Sequence, residues 1–293
     1  MSYERYQDRQ VPDLTLRQEE QVALARQAHR PVFRLIDRTN TAGGGSCVAI
    51  KLGTRLFLAT AAHVVYQKHD YELILPDRTA EPVNQFVAKY TNKEDDVASL
   101  EISPPDHCVF SDAFVHEADL LTCLSQDREW PVLVVGYPGE YIRPTRETTL
   151  PSNTILRARR VDAYTLCTET IPVANWPKNL LDRPVDPSRD LFIGYYPEAR
   201  MRLLHRSNAG ITPPSFTKDP PSMQGMSGGA VWLERFKVGR IIQPSSQLIG
   251  LQVSWKLEAR RLRGTLIGRW LELVEKNYPD LRKAISAVRR NRN

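Results

Sequence analysis

The sequence predicts an all-β protein built from two β-barrels or sandwiches, with helical segments at both ends. Three observations carry this: short β-type runs fall into two turn-punctuated series, helical periodicity is confined to the ends, and proline is crowded into one interior region. Residues 15–30 read as the first helix. Thr15 and Gln18 form a capping box, Leu16, Val22, Ala25 and His29 share a face, and Pro31 ends it. Strand-like runs follow at 32–36, 46–52, 55–59, 71–75, 85–90 and 97–102, and a second series at 131–136, 154–161, 191–195, 229–233, 247–255 and 264–267. Residues 268–276 and 280–289 return to helical spacing, with Arg and Lys opposite the apolar positions. Between residues 172 and 221 lie 9 of the 21 prolines, including Pro213-Pro214 and Pro220-Pro221. Each proline removes a ladder donor, so these segments are expected as long surface loops rimming a cleft. The organisation expected is an N-terminal helical extension (1–31), a first β-unit (32–125), a second (126–267) carrying proline-rich loops at about 172–221, and a basic helical tail (268–293).

The chain has 293 residues, 41% of them hydrophobic, enough to bury a sizeable core and to exclude a disordered or fibrous protein. Charge is uneven. Residues 256–293 carry 11 Lys/Arg against 4 Asp/Glu, while the other 255 residues carry 29 against 30. A neutral body with a basic tail argues against a nucleic-acid platform over the whole surface and leaves the tail as a docking patch for an acidic partner, or as a solvated helix face. The start of the sequence is polar, and no apolar run approaches membrane-spanning length. The four cysteines (Cys47, Cys108, Cys123, Cys167) form neither a CxxC nor a zinc-spaced cluster. A cytoplasmic protein with free thiols, and without metal or cofactor, is the expectation. Cys47, near Gly43-Gly44-Gly45-Ser46, reads as a small buried hydrophobe.

Three separated motifs carry chemistry: Thr60-Ala61-Ala62-His63, Asp95-Asp96-Val97-Ala98 and Gln224-Gly225-Met226-Ser227-Gly228-Gly229. A serine hydroxyl needs a base within hydrogen-bond reach, and imidazole suits that task at neutral pH. A carboxylate must fix the imidazole tautomer, and backbone N–H groups must meet the charge that develops on the scissile carbonyl. Glycines beside the serine let the backbone approach closely, so the N–H groups of Gly225 and Ser227 form the expected oxyanion hole.

These motifs resemble those of the trypsin-like serine peptidases of the chymotrypsin fold: TAAH at 60–63, Asp-aliphatic-Ala at 96–98 and GxSGG at 225–229. Leu248 to Trp255 is similar to the strand lining that family's primary specificity pocket, with one extra residue before Ser254. The resemblance implies two six-stranded antiparallel β-barrels with a triad between them: His63 as base and then acid, Asp96 as orienter, Ser227 as nucleophile. Asp96 rather than Asp95 matches the pattern because Val97 follows it, and Asp95 is expected to point away and stay solvated.

The departures are informative. Val64 stands where secreted animal members have a cysteine, consistent with a cytoplasmic member of bacterial type. Met226 replaces the aspartate that pairs with a freed N-terminus, so activation by that ion pair is not expected. By the same resemblance Pro221 lies at the pocket floor, with Ser254, Trp255 and Lys256 lining it, which gives no support for an Arg/Lys preference. Gly136-Tyr137-Pro138-Gly139 is similar to a turn in bacterial members and reads as structural. The expected function is a serine endopeptidase acting on protein or peptide through an acyl-enzyme, with an activating partner or ligand as its control. The resemblance also allows an effector role in prokaryotic defence against phage. The competing reading is a catalytically silent protease-fold module that uses its cleft and basic tail to hold a protein or nucleic acid.

Overall fold

The computed structural model describes residues 31–37, 44–66, 71–74, 80–82, 86–104, 110, 113–139, 142–149, 155–161, 163–177, 184–195, 203–207, 210–215, 223–237, 243–256 and 260–290. The expected helix at 15–30 and Pro221 lie outside them.

The first half forms β1 (Val32–Asp37), β2 (Gly44–Leu52), β3 (Arg55–Thr60), the short helix α1 (Ala62–Val65), β4 (Tyr71–Ile74), β5 (Ala80–Pro82), β6 (Phe86–Asn92) and β7 (Val97–Ile102). The strands make one antiparallel sheet in the order β5-β4-β1-β2-β3-β7-β6. It has seven strands where six are expected, the brief β5 being the addition. The second half supplies β8 (Pro131–Gly136), β9 (Ile142–Thr149), β10 (Ile155–Val161), β11 (Tyr164–Glu169), β12 (Asp190–Gly194), β13 (Leu203–Ser207), β14 (Gly210–Ser215), β15 (Ala230–Lys237), β16 (Gln243–Lys256) and β17 (Arg261–Leu266). Six of these form an antiparallel sheet in the order β11-β8-β15-β16-β17-β12, and a bridge between Thr170 and Ile193 brings its two ends together. The result is a chymotrypsin-like pair of β-barrels, as the sequence implies.

Strand alternation explains how the halves join. On β1, Phe33 and Leu35 enter the interior of the first sheet, while Val32 and Ile36 face the second; on β2, Cys47 and Ala49 go inward while Val48, Ile50 and Leu52 go the other way. The inner strands of the first sheet are therefore buried on both faces, which is why they read as near-continuous apolar runs. The layer between the sheets is completed from the second by Leu133, Val135, Ala230, Trp232 and Leu248.

The C-terminal helices α2 (Ile267–Asn277) and α3 (Arg282–Arg290) pack into that same layer through Trp270, Leu271, Val274, Ile285 and Val288. Tyr278, between them, stacks edge-on against Phe57 and Tyr90 and donates its hydroxyl to Glu101, which also receives Arg55 at 2.6 Å. The basic tail is thus structural for much of its length. Part of its charge is spent within the fold, with Arg289 and Arg282 on Glu275 and Arg269 on Glu272.

The proline-rich region differs from the all-loop expectation, because it contains the hairpin β13–β14. Pro213 and Pro214 fall where its register shifts, between the Thr212 and Ser215 pairings, and β14 pairs only with β13. A bulge in an edge strand is the place where missing N–H donors cost least.

Candidate active site

His63 lies in α1, which leaves β3 through Ala61. Ala61, Ala62, Val64 and Val65 are buried in the first sheet's interior cluster, so the helix can only present its remaining residue, His63, outward. The ring is 47% exposed, with Nδ1 2.8 Å from Asp96 Oδ2. The His63 main-chain N–H donates to Asp96 Oδ1 at 3.0 Å, and Ala62 N–H donates to the Asp96 carbonyl at 3.1 Å. One carboxylate therefore holds both the ring and the backbone of His63. With Nδ1–H donating to it, Nε2 carries the lone pair a general base uses.

Asp96 sits at φ +54°, a left-handed conformation uncommon for a residue with a Cβ and of the kind that clusters at functional sites. Its neighbour corrects an expectation. Asp95 is buried rather than solvated, accepting from Asn92 Nδ2 at 2.6 Å, while its carbonyl accepts from Thr265 Oγ1 of the second sheet at 2.7 Å. The more buried carboxylate ties down the turn, and the one left partly open faces the histidine.

Ser227 sits in the turn before β15, and two glycine-lined approaches put it against the same corner. A Cβ on Gly45 would lie 2.5 Å from Val64 Cγ2 and 2.6 Å from the Ser227 carbonyl, so β2, the histidine helix and the serine turn all meet there. Gly228, at φ +87°, presses on Ser46 O and Thr60 Oγ1 and allows no side chain. Ser46 N–H donates to Ser227 O at 2.7 Å. The Ser227 hydroxyl donates to Val253 O at 3.3 Å and makes no hydrogen bond to His63. The structure therefore joins His63 to Asp96 and brings Ser227 to their corner, with its hydroxyl turned to another acceptor.

The N–H groups of Gly225 and Ser227 are oriented indirectly. The Gln224 carbonyl accepts from Gly139 N–H at 2.7 Å and the Met226 carbonyl from Gly229 N–H at 2.7 Å. In a trans peptide the N–H points opposite the C=O, so each bond turns the next residue's N–H the other way. Neither N–H finds an acceptor among the described residues, leaving two donors for a developing oxyanion.

Of the expected pocket residues, Trp255 is half-buried and stacks edge-on with Tyr195 at 6.4 Å, Ser254 is half-buried, and Lys256 is exposed at the end of β16. Val253 was missed by sequence reasoning: its carbonyl, not Ser254, meets the serine, because a register shift between Gln252 and Ser254 inserts it. The extra residue in that strand was its signal. Cys47 is buried, its thiol pushed up by desolvation, and unavailable as a nucleophile. Among the described residues no His/Cys/Asp/Glu group could hold a metal ion, and no helix is long and apolar enough to cross a membrane.

No family model and no curated protein matches the sequence. Several solved structures similar to this chain are proteases. The inactive form of the Rv3671c protease of M. tuberculosis is 13% identical, with 87% of this chain and 93% of that one covered and a TM-score of 0.45. A Glu endopeptidase bound to MPD is 12% identical, with coverage of 86% and 91% and a TM-score of 0.47. The HtrA-type protease AlgW with a tripeptide is 13% identical, covering 86% of this chain and 62% of that one, with a TM-score of 0.44.

Proposed function

We propose that this protein is a serine endopeptidase in which His63, Asp96 and Ser227 act as a triad. The observation that carries the reading is the double grip of Asp96 on His63, by ring and by main chain, at the corner where Ser227 lies, with its own N–H and that of Gly225 without acceptors among the described residues. Rotation about the Ser227 Cα–Cβ bond releases its hydroxyl from Val253 O toward His63 Nε2. His63 takes the hydroxyl proton as Oγ bonds to the scissile carbonyl carbon, and the oxygen's charge is met by the N–H groups of Gly225 and Ser227. The protonated ring, stabilised by Asp96, gives its proton to the leaving amine, and water repeats the sequence on the acyl-enzyme.

The bond from Ser227 Oγ to Val253 O supports a second reading, that of a silent module or an enzyme awaiting a partner or ligand. An effector role in prokaryotic defence rests on the family resemblance alone. Cleavage of a diverse peptide library, with and without cell extract, separates these readings. The proposal expects cleavage that is lost in Ser227→Ala. Cleavage only with extract identifies an enzyme under external control, and none in either condition leaves the silent module.

A further inference from the structure

We infer that Arg34 is a positioning residue for the oxyanion loop: from the first sheet it holds the Gly225 carbonyl and so fixes the peptide plane after Gly225, while Gly139 fixes the plane that carries the Gly225 N–H. The inference rests on the protease reading only for what the loop is used for.

Arg34 stands in the middle of β1, between Phe33 and Leu35, whose side chains enter the interior of the first sheet. Alternation sends Arg34 the other way, toward the second sheet. There it is fully buried, and desolvation lowers its guanidinium to about 10. It remains a cation at neutral pH, yet no carboxylate among the described residues pairs with it. Its Nη1 instead donates to two main-chain oxygens of the second sheet's loops, Gly225 O at 2.7 Å and Tyr137 O at 2.9 Å. Ser46, the partner of Arg34 across the β1–β2 ladder, adds a second donor to Gly225 O at 3.2 Å and accepts from Tyr137 N–H at 2.8 Å. One rung of the first sheet thus clamps the loop that carries Gly225.

Gly225 needs such a clamp. It sits at φ +92°, and a Cβ there would lie 2.6 Å from Arg34 Nη1. Glycine rotates readily about both its dihedrals, so a loop hung on it keeps one orientation only if both flanking peptide planes are held. Gly139 holds the plane before Gly225 through Gln224 O, and Arg34 with Ser46 holds the plane after it through Gly225 O. As a device for stability alone the arrangement is poor. Arg34 Nε and Nη2 have no hydrogen-bond acceptor among the described residues, and a buried cation without a counter-ion is costly. The neighbouring Met226 is buried and apolar, so the loop has no carboxylate of its own to anchor it. A cation fixed in the sheet provides an anchor that needs no chain cleavage.

The test uses the full chain, uniformly 15N-labelled, with Arg34→Met, Arg34→Lys and Ser46→Ala, and with Ile285→Ala as a folding control remote from the site. The expected result is a shifted or broadened Gly225 amide resonance in Arg34→Met and Ser46→Ala but not in Ile285→Ala. On a peptide amide substrate kcat falls about 10²-fold in Arg34→Met and about tenfold in Ser46→Ala, with KM nearly unchanged. Arg34→Lys recovers part of the loss. Should Arg34→Met not fold, Ser46→Ala carries the decision. An unchanged Gly225 resonance in the folded variants, or a kcat loss no larger than in Ile285→Ala at matched Tm, overturns the inference. If the wild type cleaves nothing, the protease reading fails, and the Gly225 resonance still decides whether Arg34 sets the loop.

Discussion

Between His63 and Asp96, two hydrogen bonds tie one residue's ring and main chain to the other's carboxylate; at Ser227, the fixed contacts are all on the main chain and the hydroxyl rests on Val253 O. On the proposed function, the first sheet delivers an acid–base pair that is assembled before substrate arrives, and the second a nucleophile whose backbone is pinned and whose reactive atom still has a rotation to make. Preorganisation is complete on one side of the cleft and partial on the other, so control of this site would act on the serine side.

The sharpest way to break the His63 side is to neutralise its carboxylate. Asp96→Asn is expected to lower kcat by about 10⁴-fold, because the wrong imidazole tautomer is then favoured. Asp95→Asn should lower it less than about tenfold, since Asp95 braces the turn and does not touch the ring. Steady-state kinetics on one peptide substrate compares the two, and equal losses would reverse their roles.

Next in size is the layer beneath both halves. Ile285 is fully buried in the C-terminal helix pair, so Ile285→Ala should cost about 2–5 kcal/mol of stability while kcat per folded molecule holds. Removal of residues 281–293 should be more damaging, because it also strips Leu281 and Val288. Urea unfolding measures both.

The sheet under the serine contains its own liability. Burial pushes the Glu234 carboxyl up to about 7, so between its ordinary range and pH 7 the folded state binds the proton more tightly than the unfolded chain does. Stability contributed by the protonated form is present at pH 4 and lost as pH rises toward 7 and beyond. Glu234→Gln is expected to gain about 1–3 kcal/mol at pH 8 and nothing at pH 4, as read from Tm at the two values. The smallest effect belongs to the first sheet's outer brace: Tyr278→Phe removes one hydrogen bond to Glu101, which keeps Arg55, and should cost about 1 kcal/mol.

Much of this was legible in the residues themselves. The double-sheet architecture followed from strand-length apolar runs, and both C-terminal helices appear within two residues of their expected bounds. What escaped depended on packing between segments far apart in sequence. Asp95 was expected to be solvated because charge pairs before strands usually are; in the fold it is buried, with its carbonyl held by Thr265, 170 positions away. The turn at 136–139 reads as merely structural until Gly139 is seen to orient the Gln224 carbonyl. Arg34, a cation inside Val-Phe-Arg-Leu-Ile, interrupts the near-continuous apolar run of a buried strand, and that break was the available signal.

The central claim, that Ser227 is an activated nucleophile, is tested most directly by intact-mass and peptide-level spectrometry after incubation with a fluorophosphonate. A single adduct located on Ser227, formed in the wild type, absent in Ser227→Ala and strongly slowed in Asp96→Asn, is the predicted result. Absence of an adduct at Ser227 in the wild type, with cell extract present as well as without it, would contradict it.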